Sequence, residues 1–282
     1  MITRWLGGDG AFRVIAVDVT ALVEETVACH AVSEPLQSVL AHATVVHALL
    51  SAHIKGEERV ALHLTMDSPS VSYMGQLHAT GRYRAYMRGK AEGSVDEGCL
   101  EGMFLAIKSI DGKELYRSAS VCEGESLETA LRRHMKESNQ ADIWLRVAVD
   151  WDEGGERFAG GVLIERFPEV EDQSSLTEGQ FETYTEGLEG ALPIPLVKEA
   201  LDGTLASASL EALETTPVIW KCICTRERAE GVLCTLGAAD LRALAQEQGQ
   251  AEVSCHFCGS SRTVTGARML ELADELIESG VN

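Results

Sequence analysis

The 282-residue sequence lacks the common motifs of nucleotide hydrolysis and acyl transfer. It contains no Gly-x-x-x-x-Gly-Lys-Ser/Thr loop, so an ATP-driven cycle has no recognisable nucleotide site. It also contains no nucleophile elbow. We therefore expect a protein that is not an enzyme.

Long apolar runs are missing as well. No stretch of eighteen apolar residues occurs, and residues 1–9 show no apolar run followed by a small-residue cleavage site. We expect no membrane partner and a cytoplasmic location. In that compartment the eight cysteines would be kept mostly as thiols, which favours metal binding or redox sensing over a disulfide framework.

The sequence also has no excess of basic residues: its formal net charge at pH 7 is -20. Such an acidic chain repels phosphate backbones. Residues 221–262 hold five basic and five acidic side chains, so the cysteine-rich region has no basic patch. We expect no nucleic-acid partner.

Two cysteine pairs stand near the C-terminal end, Cys222-x-Cys224 and Cys255-x-x-Cys258, with thirty residues between them. In an extended strand Cys222 and Cys224 point the same way, while a two-residue gap followed by Gly259 suits a tight turn around an ion. Four thiolates favour a tetrahedral, closed site for one Zn²⁺ per chain. Alternatives are two core cysteines, a redox pair at Cys255 and Cys258, or His256 as a substitute ligand.

Length and pattern predict an α+β protein with two domains and a connection. An N-terminal mixed α/β domain covers 1–168, an acidic helical linker covers 169–220, and a small four-cysteine zinc module with a C-terminal helix covers 221–282. In the first domain Ser33 is the expected N-cap of a helix that Gly56 stops, and Asp111-Gly112 is a hairpin turn. The other predicted elements are strands at 12–19, 59–67 and 71–86, a helix at 127–136, and a hairpin of 143–149 with 158–167.

The linker is the most acidic part of the chain, with eleven acidic residues and one base within 169–217. Phe181, Tyr184, Leu188 and Leu192 form an apolar stripe at helical spacing, which Pro193 ends. Repeated glutamates and two glycines oppose this helix, so we expect it to fold only while docked on a neighbour. A solvated acidic helix is the alternative.

The remaining cysteines and the histidines have simpler interpretations. Cys29, Cys99 and Cys122 lack paired spacing and are interpreted as small apolar residues. Cys234 either packs inside the module or offers a competing disulfide. His42, His47 and His53 are interpreted as structural or surface residues. The C-terminal helix carries an apolar face that packs either on the module or on a partner, formed by Met269, Leu272, Leu276 and Ile277.

Several segments resemble one known family. Residues 222–228, Leu236-Gly237 and residues 251–258 are similar to the redox-switch module of the heat-shock protein 33 family, the redox-regulated 33 kDa chaperonin. Residues 82–89 and 160–164 resemble its N-terminal domain less tightly.

The resemblance implies a chaperone that holds zinc through the four cysteines when they are reduced. Oxidation would form the disulfides Cys222–Cys224 and Cys255–Cys258, release zinc and activate an ATP-independent holdase. Its partners would be unfolded or oxidatively damaged client proteins, and the active form a homodimer. Two other functions remain open, a thiol-disulfide oxidoreductase using Cys255 and Cys258, and a zinc-stabilised interaction protein without redox activation.

Overall fold

The computed structural model describes residues 1–7, 10, 12–67, 70–89, 99–151, 157–167 and 210–279. The chain divides into two compact units, Met1–Lys221 and Cys222–Asn282. Among the described residues no helix is both long enough and apolar enough to cross a membrane. The helix predicted at the start of the acidic linker, and its apolar stripe, lie outside the described residues.

The described residues of the first unit form three helices, one 3₁₀ turn and eleven strands. The helices are α1 (Thr20–His30), α2 (Glu34–Leu50) and α3 (Leu127–Asn139), and the 3₁₀ turn is Ser51–His53. The strands are β1 (Ile2–Gly7), β2 (Phe12–Asp18), β3 (Glu58–Met66), β4 (Val71–His78), β5 (Arg82–Gly89), β6 (Cys99–Ile110), β7 (Lys113–Ser126), β8 (Asp142–Asp150), β9 (Phe158–Arg166), β10 (Leu210–Thr216) and β11 (Ile219–Trp220).

These strands form two sheets. The five-stranded sheet has the order β10-β1-β2-β9-β8, and the six-stranded sheet has the order β11-β5-β4-β3-β6-β7. All pairs are antiparallel except β11 with β5. Helix α2 is buried along most of its length and packs against β9, where a Cβ added at Gly161 would lie 2.7 Å from Val45 Cγ1. A glycine at that position lets helix and sheet approach closely.

Local turn chemistry explains the hairpin between β6 and β7. Asp111 and Gly112 both have positive φ, 47° and 82°, as a two-residue turn of the mirror-image type requires. The prediction of this hairpin is confirmed. Ser126 also accepts a hydrogen bond from the Thr129 amide and so caps α3, which starts where the predicted helix starts.

Two local predictions differ from the structure. Ser33 is the N-cap residue of α2, but the helix ends at Leu50 and continues as the 3₁₀ turn, so Gly56 does not stop it. The predicted strand 71–86 is two strands, β4 and β5, separated by a turn. Gly81 in that turn has a φ of 84°, and an added Cβ would lie 2.0 Å from the Pro217 carbonyl oxygen, which demands glycine.

The C-terminal end of the predicted linker takes part in both sheets. Strand β10 pairs with β1, so that Ile2 faces Thr216, and β11 pairs with β5 at Arg82 and Tyr83. These residues are therefore part of the first unit in the structure, because strands that are distant in sequence, β1 and β5, satisfy their backbone hydrogen bonds.

The second unit consists of three helices and one hairpin: α4 (Arg226–Cys234), α5 (Ala238–Gln248), β12 (Gln250–Ser254), β13 (Ser261–Thr265) and α6 (Gly266–Ser279). Its core has eight buried residues: Leu233, Leu241, Ala245, Ala251, Val264, Met269, Leu272 and Ala273. Helix α6 is the predicted C-terminal helix, and its apolar face packs on this core, although Ile277 stays exposed.

Candidate metal centre

The two cysteine pairs approach each other at one end of the second unit. Cys222 and Cys224 lie in the short segment that precedes α4, and Cys255 and Cys258 lie in the turn that joins β12 to β13. Ser254 and Ser261 are the last paired residues of this hairpin, so its turn begins immediately before Cys255. The four sulfur atoms, which we call the four-cysteine group, all lie within 4.8 Å of one another.

The distances fit a tetrahedral metal ion. Two of the sulfur separations are 3.5 Å, for Cys222 and Cys255, and 3.3 Å, for Cys224 and Cys258. Four ligands about 2.3 Å from a central zinc ion would be separated by about 3.8 Å. A disulfide would need a sulfur separation of about 2.05 Å, and all four cysteines are free thiols in the structure. The donor set and the spacing therefore suit a closed four-thiolate site.

Backbone geometry shapes the second pair. The Gly259 amide donates to the Cys255 carbonyl at 2.8 Å, and the Cys255 amide donates to the Ser260 carbonyl at 2.9 Å. Gly259 has a φ of 68°, in the left-handed region that glycine adopts readily. This confirms the tight turn that the sequence predicts around Cys255 and Cys258.

The first pair is held by the start of α4. Thr225 caps this helix, because its side chain accepts a hydrogen bond from the Arg228 amide. One turn later Glu230 is largely buried and accepts hydrogen bonds from Arg226 and from Arg268 of α6. The hydrogen bond from Arg268 lowers the pKa of Glu230, so the pair stays ionised and ties α4 to α6.

Ser260 makes the closest polar contact with the four-cysteine group. Its Oγ lies 2.7 Å from Cys258 Sγ and 4.0 Å from Cys224 Sγ. Burial acts to raise the pKa of Cys258, but the hydrogen bonds from the Ser260 hydroxyl and amide, together with those from Cys224 and Cys222, lower that pKa to about 6. Burial raises the pKa of the other three thiols. Cys258 is therefore the thiol most ready to act as a thiolate ligand.

The other candidate residues lie outside this group. Within the described residues the metal-binding cluster comprises the four cysteines, and the exposed His256 is not among them. Cys234 packs against the core of the second unit, as one of the two predictions for it states. Cys122 is buried, as is common for a cysteine that acts as a small apolar residue, and Cys29 is exposed at the end of α1.

Sequence reasoning missed Ser260 and the Glu230–Arg268 pair. Arg226 and Glu230 are spaced i, i+4 with opposite charges, which is a usable local signal. Nothing local links Glu230 to Arg268, because the two residues are on different helices. Ser260 follows Cys258 and Gly259 in the printed sequence, but a serine after such a pair has no specific spacing signature.

The fold and the site define the class of protein: a mixed α+β protein whose C-terminal unit carries four cysteines positioned to bind a metal ion. A family model described as Hsp33 protein matches residues 1–265. The chain therefore belongs to the Hsp33 family of chaperones.

Individual relatives agree with this assignment. The chain is 28% identical to a 33 kDa chaperonin of Geobacter sulfurreducens, with 98% of this chain and 95% of that protein aligned. It is 26% identical to a 33 kDa chaperonin of Shouchella clausii, with 95% of each chain covered. The crystal structure of a 33 kDa chaperonin homologue from Thermotoga maritima has the same fold, with a TM-score of 0.77, 21% identity and coverage of 98% of this chain and 99% of that one.

Proposed function

We propose that this protein is a redox-regulated, ATP-independent holdase that is inactive while its cysteines are reduced and bound to zinc. The observation that carries the proposal is the convergence of four thiols within 4.8 Å in a chain of the Hsp33 family. Bound zinc would keep the four sulfurs deprotonated. It would also cross-link the segment that precedes α4 to the β12–β13 turn. The expected stoichiometry is one ion per chain.

Oxidation would remove the ligands in pairs. A thiolate of the Cys255–Cys258 pair attacks peroxide, forms a sulfenic acid and releases hydroxide, and the neighbouring thiolate then displaces a second hydroxide to close the disulfide. The Cys222–Cys224 pair reacts in the same way. Two peroxide molecules therefore take four electrons from the four thiolates, and the hydroxides become water on protonation.

The disulfides of the oxidised protein, Cys222–Cys224 and Cys255–Cys258, join cysteines that are neighbours in the sequence, and they can be measured directly. In the reduced structure Cys222 Sγ lies 3.5 Å from Cys255 Sγ, and Cys224 Sγ lies 3.3 Å from Cys258 Sγ. Because all four sulfurs lie within 4.8 Å of one another, their distances do not by themselves select one pairing. Mass spectrometry of proteolytic fragments from the oxidised protein would reveal the pairs, and disulfides between the two segments would contradict this pairing.

Loss of the metal would expose the surfaces that bind clients. The second unit has only eight core residues, so it depends on the ion for its stability. We propose that the acidic linker loses order together with this unit, and that unfolded or oxidatively damaged proteins bind the apolar surface exposed in this way. We further propose that the active form is a homodimer and that the protein works in the cytoplasm on protein clients, with no nucleic-acid or membrane partner.

A single titration tests this function. The reduced, zinc-loaded protein is treated with peroxide at elevated temperature while zinc release and suppression of client aggregation are followed, and reductant with zinc is then added. We expect about one zinc per chain to leave as holdase activity appears, and both changes to reverse. Zinc loss without holdase activity would leave the four-cysteine group as a purely structural site.

Two variants sharpen the titration. Cys234→Ser changes a thiol outside the four-cysteine group and should behave like the unchanged protein, whereas Cys222→Ser removes one ligand and should uncouple activity from peroxide. Catalytic turnover of a disulfide substrate would instead identify an oxidoreductase. Retention of zinc under peroxide would identify an interaction protein without redox control.

A further inference from the structure

The first unit carries an open cavity of about 750 Å³ at the edge of its five-stranded sheet. Strands β1, β2 and β6, the 3₁₀ turn and its following loop, the turn between β4 and β5, and the end of β10 all contribute to its walls. The lining residues are Arg4, Arg13, Ala52, His53, Ile54, Lys55, Gly56, Ala79, Thr80, Lys108, Glu214, Thr215, Thr216 and Pro217. This volume lies in the range of pockets that hold ligands of nucleotide size.

The charge on these walls is opposite to that of the whole chain. Among the described residues that line the cavity, four are cationic, Arg4, Arg13, Lys55 and Lys108, and one is a carboxylate, Glu214. Two further carboxylates pair with two of the cations, Glu165 with Arg13 and Glu58 with Lys108. The cations still outnumber all three carboxylates, in a protein whose net charge is -20. A local excess of positive charge in a concave surface concentrates anions.

Two guanidinium groups lie on the same face of neighbouring strands. The register of β1 and β2 places Arg4 opposite Ile15 and Leu6 opposite Arg13, so the two arginines are two positions apart on that face. Burial lowers the pKa of Arg4, the nearby Glu214 opposes this, and the positive charge of Arg13 lowers it further. Half-buried like charges repel each other, and an anion held between them would relieve that repulsion.

The cationic groups are already held in place by contacts within the protein. Arg4 donates to Thr216 Oγ1 at 3.0 Å, Arg13 donates to Glu165 and lies 3.2 Å from His53 Nε2, and the Lys108 ammonium donates to the His53 carbonyl at 3.0 Å. A site whose side chains are fixed before binding loses less conformational entropy on binding. Ala52, Ile54, Ala79 and Pro217 add apolar wall beside the charged groups.

We infer that this cavity is a binding site for a small anion that carries a diphosphate group. The forked donors of Arg4 and Arg13 match phosphate oxygens, and Lys55 and Lys108 supply further positive charge at the wall. The site would bind the anion without catalysing a reaction. It lies within the first unit, so binding would depend neither on zinc and the four cysteines nor on the proposed holdase activity.

Calorimetric titration of the reduced, full-length protein with two ligands tests the inference. The two ligands are inorganic pyrophosphate and ADP, both without divalent metal. They share the diphosphate group, and only ADP also carries a nucleoside. We expect saturable binding with one site per chain. Equal affinities would indicate the inorganic anion, and tighter binding of ADP would indicate a nucleotide that also uses the apolar wall. Absence of saturable binding at millimolar concentrations of both would overturn the inference.

Four variants locate the site. Arg4→Gln should weaken binding about tenfold or more, since it removes a charge-assisted donor. Lys55→Gln should weaken ligand binding severalfold. Because Lys55 is exposed, we expect this variant to fold even if Arg4→Gln does not. Lys113→Gln and Arg117→Gln make the same charge changes on the exposed strand β7 and should leave affinity unchanged. Equal weakening by all four would show a general charge effect and overturn the site.

Diphosphates also bind zinc, so zinc release is followed in every titration. Binding that disappears in Cys222→Ser, or that scales with zinc release, would place the ligand at the metal and overturn the inference. Unchanged binding in Cys222→Ser would support a site in the first unit, whatever the outcome for holdase activity.

Discussion

Ser260 shows how a residue that is not a ligand can tune the four-cysteine group. Its hydroxyl lies 2.7 Å from Cys258 Sγ and helps to lower the pKa of that thiol. Hydrogen bonds to ligand atoms orient them and contribute strongly to metal affinity. Ser260 therefore acts as a positioning residue for Cys258.

Replacement of this hydroxyl gives a testable result. We expect Ser260→Ala to weaken zinc binding about tenfold, as the loss of a partner of a metal ligand typically does. Competition with a chromophoric chelator measures the affinity. Ser261→Ala is the matched control, because Ser261 Oγ bonds the exposed Ser254 at 2.8 Å and does not touch the cysteines. Equal affinities of the two variants would contradict this role of Ser260.

His47 is a second residue whose environment has a measurable consequence. It is fully buried in α2, where Nδ1 lies 2.8 Å from the Tyr73 hydroxyl and Nε2 lies 3.0 Å from the Val60 carbonyl. Burial lowers the pKa of His47 to about 4, partly opposed by the contact with Val60. The histidine is therefore structural, as the sequence predicts, and neutral in the folded protein at pH 7.

The lowered pKa makes stability depend on pH. Between about pH 6.5 and pH 4 the unfolded chain binds a proton at His47 that the folded chain does not, so stability is lost as the pH falls through this range. For this residue we expect a loss of about 2 kcal/mol between pH 7 and pH 5. Urea unfolding of the first unit at the two pH values measures the loss.

A pair of variants isolates this contribution. His47→Asn should show a pH-dependent loss that is smaller by about that amount, whereas His42→Asn, on a partly exposed position of the same helix, should keep the full loss. An identical pH dependence in both variants would show that His47 does not titrate in this way.

At the scale of elements, two glycines of the second unit have opposite roles. Gly231 is exposed inside α4, and a Cβ added there would meet nothing within 4 Å. A Cβ at Gly266, the first residue of α6, would lie 2.8 Å from the Gly249 carbonyl oxygen, which accepts a hydrogen bond from the Gly266 amide. The first glycine weakens its helix, and the second allows α5 and α6 to approach.

These positions predict opposite effects of the same substitution. Gly231→Ala should stabilise the second unit by about 0.5–1 kcal/mol, because alanine loses less backbone entropy in a helix. Gly266→Ala should destabilise the unit, because backbone atoms would have to move. Hydrogen exchange of the α5 amides measures both, and slower exchange in Gly266→Ala than in Gly231→Ala would refute this account.

Sequence patterns predicted those elements whose signal is local. Asp111-Gly112 specified its hairpin, since turn chemistry depends on adjacent residues, and α3 starts at Leu127, where the predicted helix starts. Strands β10 and β11 were not predicted, because their partners β1 and β5 are far away in sequence. The turn at Gly81 was missed for the same reason, since the neighbour that requires glycine is Pro217.

The candidate site divides in the same way. Paired spacing identified all four cysteines, and Gly259 indicated the turn between Cys258 and β13. The contacts that support them, from Ser260 and from Glu230 with Arg268, depend on the tertiary arrangement of α4, α6 and the β12–β13 turn. The spacing of cysteines along the chain therefore predicts which side chains can bind one ion, but it does not predict the hydrogen bonds that position those side chains.

At the scale of the whole molecule, the two units differ in what stabilises them. The first unit buries more than forty residues in one core that joins both sheets and α2. Among its described residues the second unit buries eight in its core, and we expect a metal ion bound by the four-cysteine group to supply the stability that this small core lacks. Binding of a structural zinc ion contributes roughly 10 to 16 kcal/mol in small zinc modules, as much as the 5 to 15 kcal/mol that stabilise a whole domain.

Metal removal should therefore unfold one unit and spare the other. After treatment of the reduced protein with a strong chelator, we expect α5 and α6 to lose hydrogen-exchange protection, while β2, β9 and α2 keep theirs. Cys255→Ser should give the same pattern without chelator, and Cys234→Ser should not. Full protection of α5 and α6 in the metal-free protein would mean that the small core suffices, and a redox switch based on unfolding of this unit would then fail on energetic grounds.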